Sequence, residues 1–91
     1  MNPDQPTAIH GFTVVNAFRA AQLDGTHLGK AVHIEYADEN DILTTSLGIL
    51  RSVQHTESEV NVFLVSHKHA ESLVGLKLHL EVRDTVTLLN R

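Results

Sequence analysis

The run Gly48-Ile49-Leu50-Arg51-Ser52-Val53 constrains this chain most, because it interrupts an otherwise regular alternation of apolar and polar residues. Before it, Val32, Ile34 and Tyr36 alternate with Ala31, His33 and Glu35. After it, Val60, Val62 and Leu64, and then Leu76, Leu78, Leu80 and Val82, keep the same period of two. That period marks strands with a buried face. Within residues 42–55, Leu43, Thr45, Leu47 and Ile49 share one side, and the apolar phase then slips to Leu50 and Val53. A slip beside a glycine predicts a bulge or a sharp bend. A long strand bent in this way can serve both sides of a small closed barrel.

The remaining segments fit around this strand. Residues 1–8 hold two prolines among polar neighbours and read as a disordered arm, so residues 9–91 make one small domain. Residues 9–15, with Phe12, Val14 and Val15, predict a short strand. Asn16 then caps a short helix over residues 17–23, with Val15 stapled against its first turn and Asp24-Gly25 closing it. The other reading of this stretch is one continuous strand over residues 12–20, since short apolar runs fit either period. Residues 37–41 are a polar turn and residues 54–59 a solvated hairpin loop. The third strand, residues 60–66, carries Phe63 and Val65 on its second face, which predicts a central strand or an edge covered by a partner. Residues 67–75 connect, with one helical turn at 70–74, and residues 86–89 form a last short strand.

With 42% hydrophobic residues but only 4% aromatic ones, the core must be built from Val, Leu and Ile, which favour strands. The absence of cysteine excludes disulfides, thiolate metal ligands and thiol nucleophiles. The polar start lacks the features of a secretory signal, and no apolar run approaches the ~18 residues of a membrane span. The expectation is a cytoplasmic protein with no membrane role.

The order Leu28-Gly29-Lys30-x-Val32-x-Ile34, an acidic turn, and Gly48-x-Leu50-x-x-Val53 resembles the Sm-like and SH3-like small β-barrels over residues 16–89. The resemblance implies a mainly β, five-stranded barrel preceded by a short N-terminal helix, the part assigned to residues 17–23. For an Sm-like protein it also implies a ring that binds RNA. Sm-like proteins read RNA partly through an Asp-x-x-x-Asn loop after the bent strand. Here that loop is Gln54-His55-Thr56-Glu57-Ser58-Glu59, and no Gly-rich or basic motif precedes Leu88. The fold expectation is therefore kept and the RNA role ranks second. A short acidic barrel with a disordered start also resembles small accessory proteins of bacteriophages.

A net charge of −4 opposes general nucleic-acid binding, which needs a positive field. The cations that could form a local basic face are Lys30, Arg51, Lys77 and Arg83. Seven histidines are many for 91 residues. His67-x-His69 would share a face if extended, and His33 and His79 would be cross-strand neighbours. No H-E-x-x-H spacing accompanies them, so solvated surface histidines, with no metal and no cofactor, are the expectation. Asp38-Glu39-Asn40-Asp41 opens like a calcium loop but lacks its glycine and final glutamate, which makes it a turn. No nucleophile–base pairing can be assembled, so no enzyme is expected. The functional expectation is a non-enzymatic interaction module that forms a homo-oligomer and binds a protein partner. Its candidate contact residues are Phe63, Val65, Val86, Leu88 and Leu89, an aliphatic set that a lone small barrel would struggle to cover.

Overall fold

The computed structural model describes residues 8–9, 11–66, 68 and 75–90. They build one antiparallel sheet of seven strands: β1 (Ala8–Ile9), β2 (Phe12–Arg19), β3 (Ala31–Ala37), β4 (Leu43–His55), β5 (Glu59–Val65), β6 (Gly75–Glu81) and β7 (Thr85–Asn90). Their order across the sheet is β1-β2-β7-β3-β4-β5-β6. The expectation of a β protein with a long, bulged central strand holds. That of a closed five-stranded barrel does not. The β1–β2 hairpin adds to the outer side of β7, and β6 and β2 are not paired, so the sheet has two ends.

The expected helix over residues 17–23 is also corrected. Ala17, Phe18 and Arg19 are the end of β2, paired with Thr87, Val86 and Thr85, and a single 3-10 turn, Ala20–Gln22, follows. This is nearly the continuous-strand reading of the segment. An isolated seven-residue helix would gain few internal hydrogen bonds for its nucleation cost. The strand instead pairs along its length with β7 and packs Phe18 against the main core. The helical turn expected at residues 70–74 and the His67-x-His69 pair lie outside the described residues, as does the arm expected at residues 1–8 except for Ala8, which is paired with Thr13 in β1.

Strand parity divides the apolar residues between the two faces of the sheet. Val32, Ile34, Leu50, Val60, Val62, Leu64, Leu78, Leu80 and Val86 meet on one face, with Ala20 and Leu23 from the turn region, as the main core. The opposite face holds a smaller cluster of Phe12, Ala31 and Leu89, backed by Ile9, Val14, Leu47 and Ile49. The phase slip in β4 has a visible cause. Leu50 faces Leu64 and Ser52 faces Phe63, so Arg51 is the extra residue of a bulge. Beyond it, Val53 joins the face that Leu50 began.

Gly48 sits two residues before that bulged pair, opposite Val32 in β3. A Cβ placed there would lie 2.8 Å from the Val65 carbonyl oxygen and 3.2 Å from Leu64 Cβ. The bare backbone is what lets β5 fold down over β4 at this point.

Candidate functional site

Of the five expected contact residues, three are interior. Val65 (2% exposed), Val86 (0%) and Leu89 (4%) are buried within the chain's own fold. Phe63 and Leu88 are half-buried. Phe63 lies on the face away from the main core, between Ser52 and Lys77. The exposed large apolar side chains are Val15, Leu28, Ile42, Leu43, Leu76 and Val82. Four of them fall into two places that the sequence pattern did not single out, Leu76 and Val82 at the rim of β6 and Ile42 and Leu43 at the tip of the β3–β4 hairpin, while Val15 lies on β2 and Leu28 follows the Gly25–His27 turn.

The β6 edge carries Leu76 and, just beyond its end, Val82. Among the described residues no strand pairs with its outer side. Its far end is tied to the first 3-10 turn, where the Ala21 N–H donates to the Val82 carbonyl at 3.0 Å and the Ala20 N–H to the Asp84 carbonyl at 2.8 Å.

The hairpin tip is held by a set of hydrogen bonds around Asp38. Asp38 accepts from the Asn40 and Ile42 N–H groups through Oδ1, at 2.9 and 3.0 Å. Its own N–H donates to the Ile42 carbonyl at 3.0 Å. This side-chain turn explains the acidic stretch, as expected for Asp at such a position. It also holds Ile42 and Leu43, the two most exposed large apolar side chains, outward at 60% and 85% exposure. The signal was present in the sequence as an apolar pair directly after an acidic turn, but strand alternation absorbed it.

The four candidate cations do not form one patch. Lys30 and Arg51 approach through the backbone, where the Leu50 N–H donates to the Lys30 carbonyl at 3.0 Å. Lys77 lies two strands away from β4, and Arg83 Nε is engaged by Glu81 Oε2 at 2.9 Å in the β6–β7 turn. A cleft of about 470 Å³ on the second face, lined by Phe12, Val15, Ala31, Ile49 and Leu89, has Lys30 as its only charged lining residue among the described residues.

The four histidines among the described residues are dispersed. His33 on β3 and His79 on β6 are separated by β4 and β5, so they are not neighbours. His79 Nδ1 instead bonds Asn61 Oδ1 across the β5–β6 pair at 2.7 Å. His55 Nε2 lies 2.7 Å from the Leu23 carbonyl, an acceptor, so the ring nitrogen donates and ties the end of β4 to the turn region. His27 Nδ1 accepts from the Asp24 N–H at 3.0 Å, and its ring stacks on Phe18. Among the described residues no group of three or more His, Asp or Glu is placed to hold a metal ion. No helix among them is long and apolar enough to cross a membrane.

Asp24 caps the second 3-10 turn, Gly25–His27. The Thr26 hydroxyl, the Thr26 N–H (2.8 Å from Oδ1) and, more weakly, His27 and His55 hold its carboxyl below its ordinary value. A lowered folded-state pKa stabilises the fold above the ordinary carboxylate range, and this is lost as pH falls through the lowered value. Asp24→Asn keeps a capping oxygen and removes the charge. It is expected to melt below the wild type at neutral pH, with the gap closing in acid. Melting curves from pH 7 to about pH 2 check this, and a gap independent of pH would refute it.

Comparison with protein-family models, with curated proteins and with solved structures finds no match to this chain. Any functional reading therefore has to rest on the surfaces themselves.

Proposed function

We propose that the chain is a non-enzymatic β-sheet interaction module that associates with itself and binds a protein partner. The observation that carries this reading is the β6 edge, seven residues long and unpaired on its outer side among the described residues, with an exposed leucine near its start and an exposed valine past its end. Unpaired strand edges template pairing with another chain, and small domains that keep one exposed commonly use it.

The hairpin tip supplies the surface for a different partner. Glu35, Asp38, Glu39 and Asp41 lie between Lys30 and Arg51 with no cation among them, and their charge equals the net −4 of the whole chain. An exposed apolar pair on an acidic hairpin suits a protein surface with an apolar pocket and basic rim.

The test of self-association is sedimentation velocity over roughly 1 to 500 μM, a range that brackets weak specific interfaces. Wild type is expected to shift from monomer toward a larger species, and Leu76→Arg to remain monomeric over most of the range. A wild type that stays monomeric throughout would remove self-association from the reading. A salt-dependent gel shift with single-stranded RNA or DNA would replace it with nucleic-acid binding.

A further inference from the structure

We propose that two copies of the chain pair antiparallel along β6, centred on His79. This rests on the self-association reading and specifies its surface and register. The Ala21–Val82 hydrogen bond already occupies the end of the edge, so the ladder between copies runs from Lys77 to Glu81. Centring on His79 sets Lys77 opposite Glu81 of the second copy, twice by symmetry, and Leu78 opposite Leu80. Just past the ladder, Leu76 lies beside Val82 of the second copy.

Three observations select this register. The two exposed apolar residues flanking the edge, 48% and 46% exposed, cover one another. Lys77 meets a carboxylate at each end of the ladder. Within one chain, Glu81 stands directly opposite Glu59, and both are exposed. Like charges in that position oppose pairing, and among the described residues Arg83 is the one cation at hydrogen-bond distance from Glu81. Lys77 from a second copy brings a second cation to that pair of acids. Neighbouring registers lose these matches. Centring on Leu78 sets Lys77 against His79 and leaves Val82 uncovered, while centring on Leu80 sets Lys77 against Arg83. The contact is isologous, so it closes at two copies and does not propagate into fibres.

Charge reversal tests the register. Lys77→Glu and Glu81→Lys each place like charges opposite at both ends of the ladder, and each is expected to weaken association by about tenfold or more. The double variant K77E/E81K restores both attractions and is expected to match the wild type within about threefold. A one-to-one mixture of the two single variants restores them as well, because every reversed residue then faces its complement. It should associate at least as tightly as wild type. All are measured by sedimentation velocity at about 50 mM salt, where screening is weak, with circular dichroism confirming the fold of each exposed-site variant. If wild type associates and the single variants do so equally well, the β6 register is overturned while self-association stands. If the single variants dissociate but neither the double variant nor the mixture recovers, the register is wrong. A wild type that never associates overturns both.

Discussion

Gly48→Val is expected to destabilise the fold by about 3 kcal/mol or more, lowering the melting temperature by about 12 °C or more. The first added atom would sit 2.8 Å from the Val65 carbonyl oxygen, a backbone atom that cannot rotate away, and 3.2 Å from Leu64 Cβ. Relief requires β5 to lift from β4 next to the bulge, where Leu50 and Leu64 face one another in the main core. The branched valine adds two methyls to the same space. Gly25→Ala is the matched control, since a Cβ there meets nothing within 4 Å. It is expected to change stability by no more than about 0.5 kcal/mol. Equal melting temperatures for Gly48→Val and wild type would mean that β5 does not close over β4 as described.

Leu50→Ala is expected to cost about 3–4 kcal/mol, from lost transfer energy and the cavity left behind. Leu50 is fully buried and lies where β3, β4 and β5 contribute to one core, so no single neighbour can collapse into the gap. Against a total stability of about 5–15 kcal/mol this is a large fraction. Urea unfolding should show a lower midpoint with an unchanged slope. Leu43→Ala is the informative contrast, because Leu43 is 85% exposed at the hairpin tip and its loss should be within about 0.5 kcal/mol. A small effect of Leu50→Ala would place the core elsewhere.

The strands were legible because alternation reports directly on which side of a residue is buried. β3 to β7 lie within one or two residues of where the period of two put them. The slip between Ile49 and Leu50 was legible for the same reason and proved to be the Arg51 bulge. What the pattern could not report was who stands beside whom over long sequence distances. Nothing in Ala17-Phe18-Arg19 says that β7 is waiting for it, so helix propensity competed with a pairing invisible at that range. The same long-range pairing buries Val86 and Leu89, which looked like surplus apolar surface. It likewise leaves the sheet open where a barrel was expected. Of the five expected contact residues, Val65, Val86 and Leu89 are buried, and the β6 edge was not among them. The hairpin tip was hidden inside an ordinary strand start.

One hairpin holding four carboxylates, with no lysine or arginine between residues 30 and 51, has a further consequence. Acidic and basic side chains balance in the rest of the sequence, so this hairpin carries a charge equal to the chain's whole excess and forms a negative pole. In a cationic field it would turn that pole forward before touching anything. This pre-orientation speeds productive encounter at low ionic strength and fades once the Debye length falls below about 8 Å.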